Sequence, residues 1–315
     1  MNLLNLKPSN QSKLYNYNNF FFNLVNLYNN QSLPNQLIFS GKKGIGKSTF
    51  AYHLINYIFS INEDFKYDLK HLEINSMNKS FNLIQNHSHP NFYLIDLADE
   101  KKNIEISQIR NMYNFANKSA FNNKERIILI DNAENLSLSS SSALLKIIEE
   151  PNNNVFFILI YDNSKNILET IKSRCLKFNF YLSFDKCINT ANNIINDDIY
   201  NNINKELINH YNTVGDIINL LNLSQSLNFN LSNISLKSFL IDIIEKKYYK
   251  NNFYIKNYVF RYIDLYFLNL MNCSKSKKKI SFFYENFAKK FFYLKKFNLD
   301  EESFFLDFKT KILNE

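Results

Sequence analysis

The chain has 315 residues, 45% of them hydrophobic, and a formal net charge of +8 at pH 7. This length allows two or three domains with sizeable cores. The longest wholly apolar or aromatic run, Val155 to Tyr161, is far too short to span a bilayer. The first residues lack a basic region followed by an apolar one, and the three cysteines are far apart without a CxxC spacing. We therefore expect a cytoplasmic protein with no secretory signal, no membrane segment and no disulfide framework.

The positive charge is concentrated towards the C-terminus. Residues 1–245 carry 22 basic and 22 acidic side chains, whereas residues 246–315 carry 15 basic and 7 acidic ones. A basic region of this kind can face nucleic acid or an acidic partner. Asn, Lys, Ile, Phe and Tyr are abundant along the whole chain, as AT-rich coding would impose. A solvated helical surface rich in Lys is therefore the simpler interpretation.

Strand and helix patterns alternate over the first 180 residues. We predict strands at 35–41, 91–97, 125–134 and 155–162, and helices at 47–59, 104–120 and 139–150. The strands are nearly continuous in apolar residues, as expected where both faces of a sheet are covered. Alternating strands and helices of this kind predict a parallel, three-layer α/β sheet. After about residue 180 only helical patterns remain.

The segment "GKKGIGKS" at 41–48 matches the phosphate-binding pattern G-x-x-x-x-G-K-[ST]. It holds three of the chain's four glycines, and it follows a predicted strand and opens a predicted helix. In such a loop backbone N–H groups turn towards phosphate oxygens, and the helix start adds a partial positive charge. A glycine-rich turn without a ligand is the alternative. The predicted nucleotide-binding residues are Gly41, Gly44, Ile45, Gly46, Lys47, Ser48 and Thr49.

The predicted roles in this loop follow from the chemistry of its side chains. Lys47 is expected to reach the β- and γ-phosphates of a nucleotide, and Ser48 to bind Mg²⁺. A second oxygen ligand is needed at the end of a neighbouring strand, and Asp131, which ends "RIILID", suits that role. Related ATPases place a glutamate after this aspartate to polarise the attacking water. Here Asn132 occupies that position, and an amide is not a base at neutral pH, so hydrolysis by this chain alone is in doubt.

Arg174, in "TIKSRC", is the other candidate. We expect it just beyond the last strand of the α/β domain, near the edge of that domain. An arginine in such a place can stabilise charge on the γ-phosphate of a neighbouring subunit's nucleotide. A surface arginine in a local salt bridge is the alternative.

Several stretches, taken in order, resemble the AAA+ clamp-loader subunits of bacterial DNA polymerase III. They are "LPNQLIFSGKKGIGKSTFA", "HPNFYLIDL", "IEISQIRNM", "RIILIDNAENLSLSSSSALLKIIEEPNNNVFFILIYDNSKNILETIKSRC" and "NLDEESFFLDF". The resemblance is densest over 33–178 and weak over 183–315. Within the family, "HSHPNFYLI" and "IEISQIR" look more like the delta-prime branch than the gamma/tau motor. The family's Ser-Arg-Cys motif, which supplies an arginine in trans, maps onto Ser173, Arg174 and Cys175.

The resemblance implies a division into three domains. An AAA+ P-loop nucleotide-binding domain is expected over 1–180, a small helical lid domain over 181–228, and an all-helical collar or oligomerisation domain over 229–315. It also implies a delta-prime-like subunit of the DNA polymerase III holoenzyme that binds ATP or ADP with Mg²⁺. Such a subunit lies in a hetero-oligomeric ring with gamma/tau and delta subunits. It helps ATP-driven loading of the sliding clamp on primer-template DNA and donates Arg174 to the neighbouring ATPase.

The chain departs from the family pattern in two further places. Many relatives carry a four-cysteine zinc module after the P-loop helix, but no cysteine precedes Cys175 here, so we expect no zinc. AAA+ motors sense nucleotide with a second-domain arginine that follows a glycine. The nearest match, "TVGDIINLL" at 213–221, contains Gly215 but no arginine.

Three alternatives stay open. The chain could be a gamma/tau-like motor that hydrolyses its own ATP. A small-molecule P-loop kinase would need arginines to bind its acceptor and close its lid, and the chain has only four arginines in all. A non-enzymatic DNA-binding scaffold is the third alternative, and it is the one that requires the fewest functional residues.

Overall fold

The computed structural model describes residues 6–98, 101–117, 125–149, 154–227, 230–251, 253–273, 276–297 and 299–313. The chain divides into two compact units, Met1–Thr190 with Thr213–Gly215, and Ala191–Asn212 with Asp216–Glu315. The expected domain boundary at 228 and the predicted helix ends at 118–120 and 150 lie outside the described residues. The division into three domains stays a prediction.

The first unit is built on a parallel sheet of five strands in the spatial order β2-β3-β4-β1-β5. The strands are β1 (Gln36–Gly41), β2 (Phe92–Ile95), β3 (Arg126–Ile130), β4 (Val155–Asp162) and β5 (Leu176–Asn179). The first four confirm the predicted strands, except that β3 ends at Ile130 and the residues predicted to extend it to 134 form a turn instead. The fifth was not predicted, because three of its four residues are exposed and it carries no apolar run.

Helices flank the sheet and follow it through the described part of the chain. Those of the first half are α1 (Asn18–Asn29), α2 (Lys47–Ser60), α3 (Lys79–Gln85), α4 (Ile106–Ala116), α5 (Leu138–Glu149) and α6 (Glu169–Lys172). Those that follow the sheet are α7 (Phe184–Ile195), α8 (Ile199–Asn202), α9 (Val214–Leu227), α10 (Leu236–Glu245), α11 (Tyr248–Asn251), α12 (Phe253–Cys273), α13 (Lys277–Phe297) and α14 (Glu301–Phe308). None of the described helices is both long and apolar enough to cross a membrane.

The sheet is buried on both faces because alternate residues of each strand point to opposite sides. In β1, Leu37 and Phe39 join a core with residues of α1, α2 and α3. Ile38, between them, joins a second core with residues of α4 and α5. This arrangement confirms the predicted three-layer α/β class, with an all-helical region after the sheet.

The register of the strands brings their carboxyl ends to one edge of the sheet. Gly41 at the end of β1 pairs with Asp162 at the end of β4, and Ile95 of β2 pairs with Ile130 of β3. Loops that follow parallel strands at this edge are where such folds bind their ligands.

The second unit is helical in its described part and is held by aromatic packing and ion pairs. Phe260 of α12 lies 4.0 Å from Phe291 of α13, measured between ring centroids. Glu302 accepts hydrogen bonds from Lys247 and Lys250, and these contacts lower the pKa of its carboxyl to about 2.

We expect Phe39→Ala to destabilise the first unit by about 3–5 kcal/mol, the usual cost of deleting a large buried ring. Phe39 is fully buried and packs edge-on against Phe50 at 5.4 Å. Tyr181→Ala is the control, because that side chain is 80% exposed. Urea denaturation measures both, and equal midpoints for the two variants would contradict the packing described here.

Candidate functional site

The phosphate-binding pattern forms the loop that joins β1 to α2. Gly44 has φ of +82°, a backbone conformation that side-chain-bearing residues rarely adopt. Helix α2 begins at Lys47, so the last residues of the pattern form the first turn of a 14-residue helix. The loop therefore has the strand–turn–helix context that phosphate binding requires.

Lys47 is buried beneath this loop. Its Nζ donates hydrogen bonds of 2.7 Å to the carbonyl oxygens of Gly41 and of Lys42. Burial lowers the pKa of the Lys47 ammonium to about 8, although the carboxylates of Asp162 and Asp131 act in the opposite direction. The ammonium is thus held inside the loop, in a position to bind an anion there.

Ser48 and Asp131 come together from α2 and from the end of β3. The Ser48 hydroxyl donates a 2.6 Å hydrogen bond to Oδ2 of Asp131. The pKa of the Asp131 carboxyl is raised, chiefly because the group is buried. The Ser48 hydrogen bond acts in the opposite direction, and the nearby Asp96 adds to the rise. A hydroxyl and a carboxylate oxygen are the hard ligands that Mg²⁺ uses beside nucleotide phosphates, so this pair fits the expected ion.

Within the described residues, no group of three or more His, Cys, Asp or Glu side chains is arranged to hold a metal ion. A magnesium ion at Ser48 and Asp131 would therefore rely on phosphate and water oxygens for its remaining ligands, as this ion commonly does.

The residues after Asp131 adopt a tight turn. Asn132 has a left-handed backbone (φ 53°, ψ 40°), and its side-chain amide donates a 2.7 Å hydrogen bond to Oδ1 of Asp96, which follows β2. The Glu134 side chain does not follow Asn132 towards Asp96. Its Oε2 accepts a 3.1 Å hydrogen bond from the backbone N–H of Asp162 at the end of β4. Asp96 was not singled out from the sequence, although its place after a strand of a parallel sheet was an available signal.

The other predicted loop residues have different surroundings. Ile45, although part of the loop, has its side chain buried in the core on the α1–α3 side of the sheet. A side chain at Gly41 would meet the Phe180 carbonyl oxygen at 2.6 Å. Thr49 lies half-buried in the first turn of α2.

The fourth glycine of the chain contacts the same loop. The Gly215 N–H donates a 2.8 Å hydrogen bond to the Gly44 carbonyl oxygen. A Cβ at position 215 would lie 2.8 Å from the Gly44 Cα, and one at position 44 would lie 2.4 Å from the Thr213 Oγ1. Two backbones meet here at a distance that leaves no room for side chains.

Tyr17 is a second contact that the sequence did not reveal. Its hydroxyl donates a 3.0 Å hydrogen bond to the carbonyl oxygen of Ile45, and its ring packs edge-on against Phe180. Tyr17 lies among many Asn and Tyr residues with no periodic pattern, so we see no signal in the sequence that could have found it.

Arg174 lies between α6 and β5. Its guanidinium contacts Oε1 of Glu149 at 2.8 Å and donates a 2.9 Å hydrogen bond to the Thr170 carbonyl oxygen, and its side chain is 39% exposed. The expectation that Arg174 follows the last strand is wrong, because β5 comes after it as an edge strand beside β1.

The register of β5 fixes where Arg174 lies relative to the phosphate loop. Leu176 pairs with Leu37 near the start of β1, and the loop begins after Gly41, about 13 Å further along the strand. Arg174 is therefore at the amino edge of the sheet, the edge opposite Lys47. The structure does not bring the arginine and the phosphate loop of one chain together.

Comparison with known proteins gives a consistent family. A sequence model described as "DNA polymerase III, delta subunit" matches residues 17–183, slightly more than half of the chain. DNA polymerase III subunit delta' of Haemophilus influenzae is 35% identical over 100 residues, which cover 32% of this chain and 30% of that protein. The delta' subunit of Bacillus subtilis is 25% identical over 197 residues, covering 62% and 56%.

A second branch of relatives is also similar. DNA polymerase III subunit gamma/tau of Mycoplasma genitalium is 32% identical over 157 residues, which cover 50% of this chain and 25% of that protein. Each of these matches spans less than two thirds of the relative's length. Among solved structures, a DNA polymerase III gamma subunit-related protein of Thermotoga maritima covers 90% of this chain and 96% of its own, at 14% identity and a TM-score of 0.47. That likeness is too weak to bear on function.

Gly215→Ala should loosen the phosphate loop. The added Cβ would lie 2.8 Å from the Gly44 Cα, so one backbone must move, and we expect a cost of about 1–3 kcal/mol. Hydrogen exchange of the amides in residues 41–47 should become faster. Val214→Ala, one residue earlier, leaves the two backbones in contact and should not change that exchange. Unchanged protection of the loop in Gly215→Ala would mean that the contact does not hold it.

Nucleotide binding should take up a proton at alkaline pH. With a pKa of about 8, Lys47 is mostly neutral at pH 8.5 in the free chain, and bound phosphates favour its charged form. We expect uptake of a fraction of a proton per Mg²⁺-ADP at pH 8.5, which falls towards zero at pH 7. Calorimetry in two buffers of different ionisation enthalpy measures this uptake. Lys47→Arg, which stays charged, should show none, and an uptake independent of pH would contradict the assignment.

Proposed function

The chain belongs to the DNA polymerase III delta subunit family, and we propose that within it this protein is a delta-prime-like clamp-loader subunit. It takes part in ATP-driven loading of the sliding clamp on primer-template DNA. Its partners are gamma/tau and delta subunits in a hetero-oligomeric ring, the clamp and the DNA. The assembly works in the cytoplasm.

The phosphate loop supports nucleotide binding by this subunit. A buried ammonium at Lys47, a helix start directed at the loop, and the oxygen pair of Ser48 and Asp131 are the groups that hold a nucleoside phosphate with Mg²⁺. The cofactor is accordingly ATP or ADP with Mg²⁺, and Gly41, Gly44, Ile45, Gly46 and Thr49 complete the loop that receives it.

The position of Arg174 carries the proposal that it acts in trans. The guanidinium lies at the amino edge of the sheet, so any nucleotide phosphate that it contacts belongs to another subunit. Its present partner, Glu149, is a half-exposed carboxylate, and an exposed pair of this kind contributes only about 0–1 kcal/mol. The γ-phosphate of a neighbouring ATP carries more negative charge and can replace that partner at little cost.

The gamma/tau motor is the second candidate. It is favoured by the relatives from that branch, one of them 32% identical over half of this chain. It requires that the nucleotide in this chain's own loop be hydrolysed as part of the loading cycle. The delta-prime proposal is favoured by the family model and by the delta' relatives.

The two candidates differ in which substitution stops DNA-stimulated ATP hydrolysis by the reconstituted complex. We expect Arg174→Ala to lower the rate by about 10³-fold or more, because an arginine that acts in trans contributes that much. Lys47→Ala should have a smaller effect. Arg110→Ala, which removes an exposed arginine from α4, is the matched control and should leave the rate unchanged.

Glu149→Gln refines this experiment, because it removes the charge that holds Arg174 without removing the arginine. The rate should be equal to that of the unmodified complex or higher. A complex stopped by Lys47→Ala but unaffected by Arg174→Ala would contradict the delta-prime proposal and favour the motor.

A further inference from the structure

Two carboxylates lie side by side at the carboxyl edge of the sheet. Asp96 follows β2 and Asp131 follows β3, directly after the paired residues Ile95 and Ile130. The Asp131 N–H donates a 2.9 Å hydrogen bond to the Ile95 carbonyl oxygen, so the two strands remain paired up to this point. Adjacent parallel strands are about 4.8 Å apart, which places Asp96 one strand further from β1 than Asp131.

The side chain of Asp96 is fixed through one of its oxygens. Oδ1 accepts the Asn132 side-chain amide at 2.7 Å and the Leu97 backbone N–H at 2.7 Å. Among the described residues no donor contacts Oδ2. The carboxylate is therefore oriented by two donors, while its second oxygen can accept a proton or a water.

Asn132 is built to make this contact. Its left-handed backbone turns the chain away from the direction of β3, and its own N–H donates a 2.8 Å hydrogen bond to Oδ1 of Asp131. A single residue thus bonds both carboxylates, with its backbone on Asp131 and its side chain on Asp96. An amide cannot activate water, but as a donor it fixes the orientation of the carboxylate that it contacts.

We propose that Asp96 supplies, from the neighbouring strand, the water-orienting carboxylate that position 132 lacks, and that Asn132 is its positioning residue. This rests on the proposed function, in that the phosphate loop holds ATP. On this proposal the site can hydrolyse its own nucleotide. The base is then Asp96, after β2, and not the residue at position 132, after β3.

In the proposed reaction Asp96 orients and deprotonates the attacking water, as a glutamate does in related ATPases. Oδ2 accepts a hydrogen bond from a water molecule in line with the γ-phosphorus. The water oxygen forms a bond to that phosphorus, the bond between phosphorus and the β,γ-bridging oxygen breaks, and ADP leaves with the electron pair. One proton of the water passes to Asp96 and from there to solvent, which leaves ADP and inorganic phosphate.

Asp96→Asn tests this role with little change of shape. An asparagine at 96 keeps an oxygen to accept the Asn132 amide but has no charge and is not a base. Hydrolysis is measured with the full chain assembled with motor subunits whose own phosphate-loop lysines are replaced by alanine, so that only this chain's site turns over. We expect the rate to fall by about 10²-fold or more, the usual contribution of a general base, while the affinity for fluorescent Mg²⁺-ADP stays within about twofold.

The double variant Asp96→Asn with Asn132→Asp exchanges the amide and the carboxylate. It keeps the hydrogen bond between the two side chains and places the carboxylate after Asp131, so it should recover hydrolysis to within about tenfold of the unmodified chain. Asp68→Asn, which removes an exposed carboxylate from a different loop, is the control and should change neither rate nor affinity.

Three results would overturn the proposal. One is an unchanged rate in Asp96→Asn. Another is a loss of Mg²⁺-ADP affinity in that variant as large as the loss of rate, which would make Asp96 structural only. The third is a complex in which this chain binds Mg²⁺-ADP but hydrolyses ATP no faster than its own Lys47→Ala variant. Failure of the proposed function itself is distinguishable, because the chain would then bind no Mg²⁺-ADP or would not assemble.

Discussion

The hydrogen-bonded register of the parallel sheet is the constraint on which the rest of the first unit depends. Because both faces of the sheet are buried, every backbone N–H and C=O in the inner strands must pair with a neighbouring strand. The pairing forces the carboxyl ends of β1, β2 and β3 to one edge, and with them Gly41, Asp96 and Asp131. The same pairing sends the segment before β5, and therefore Arg174, to the opposite edge. One set of backbone hydrogen bonds thus places the phosphate loop and Arg174 at opposite edges of the sheet.

Much of this arrangement could be predicted from the sequence, because the signals are local. An uninterrupted apolar run indicates a buried strand, and the glycine-rich pattern between a strand and a helix predicts the phosphate loop. Strand β5 could not be predicted in the same way. It is an exposed edge strand of four residues, so its sequence, Leu-Lys-Phe-Asn, lacks the apolar run by which the others are recognised.

The contacts that were missed join residues distant in sequence. Tyr17 reaches the loop through one hydroxyl, and Gly215 through one backbone N–H, neither of which leaves a periodic trace. Asn132 is more instructive. Taken alone it indicates a lost base, and only the position of Asp96, 36 residues earlier, shows that a carboxylate stands beside it. The proposed base depends on both Asn132 and Asp96, so it cannot be inferred from either residue alone.

The contact between Gly44 and Gly215 also bears on how this chain can change over time. Apart from Gly41 and Gly46, glycine is absent from the rest of the chain. At these two positions any replacement must put carbon atoms where another backbone already lies. The four glycines of the chain, Gly41, Gly44, Gly46 and Gly215, all belong to the phosphate loop or contact it, so substitutions at the chain's glycines act on the shape of this loop.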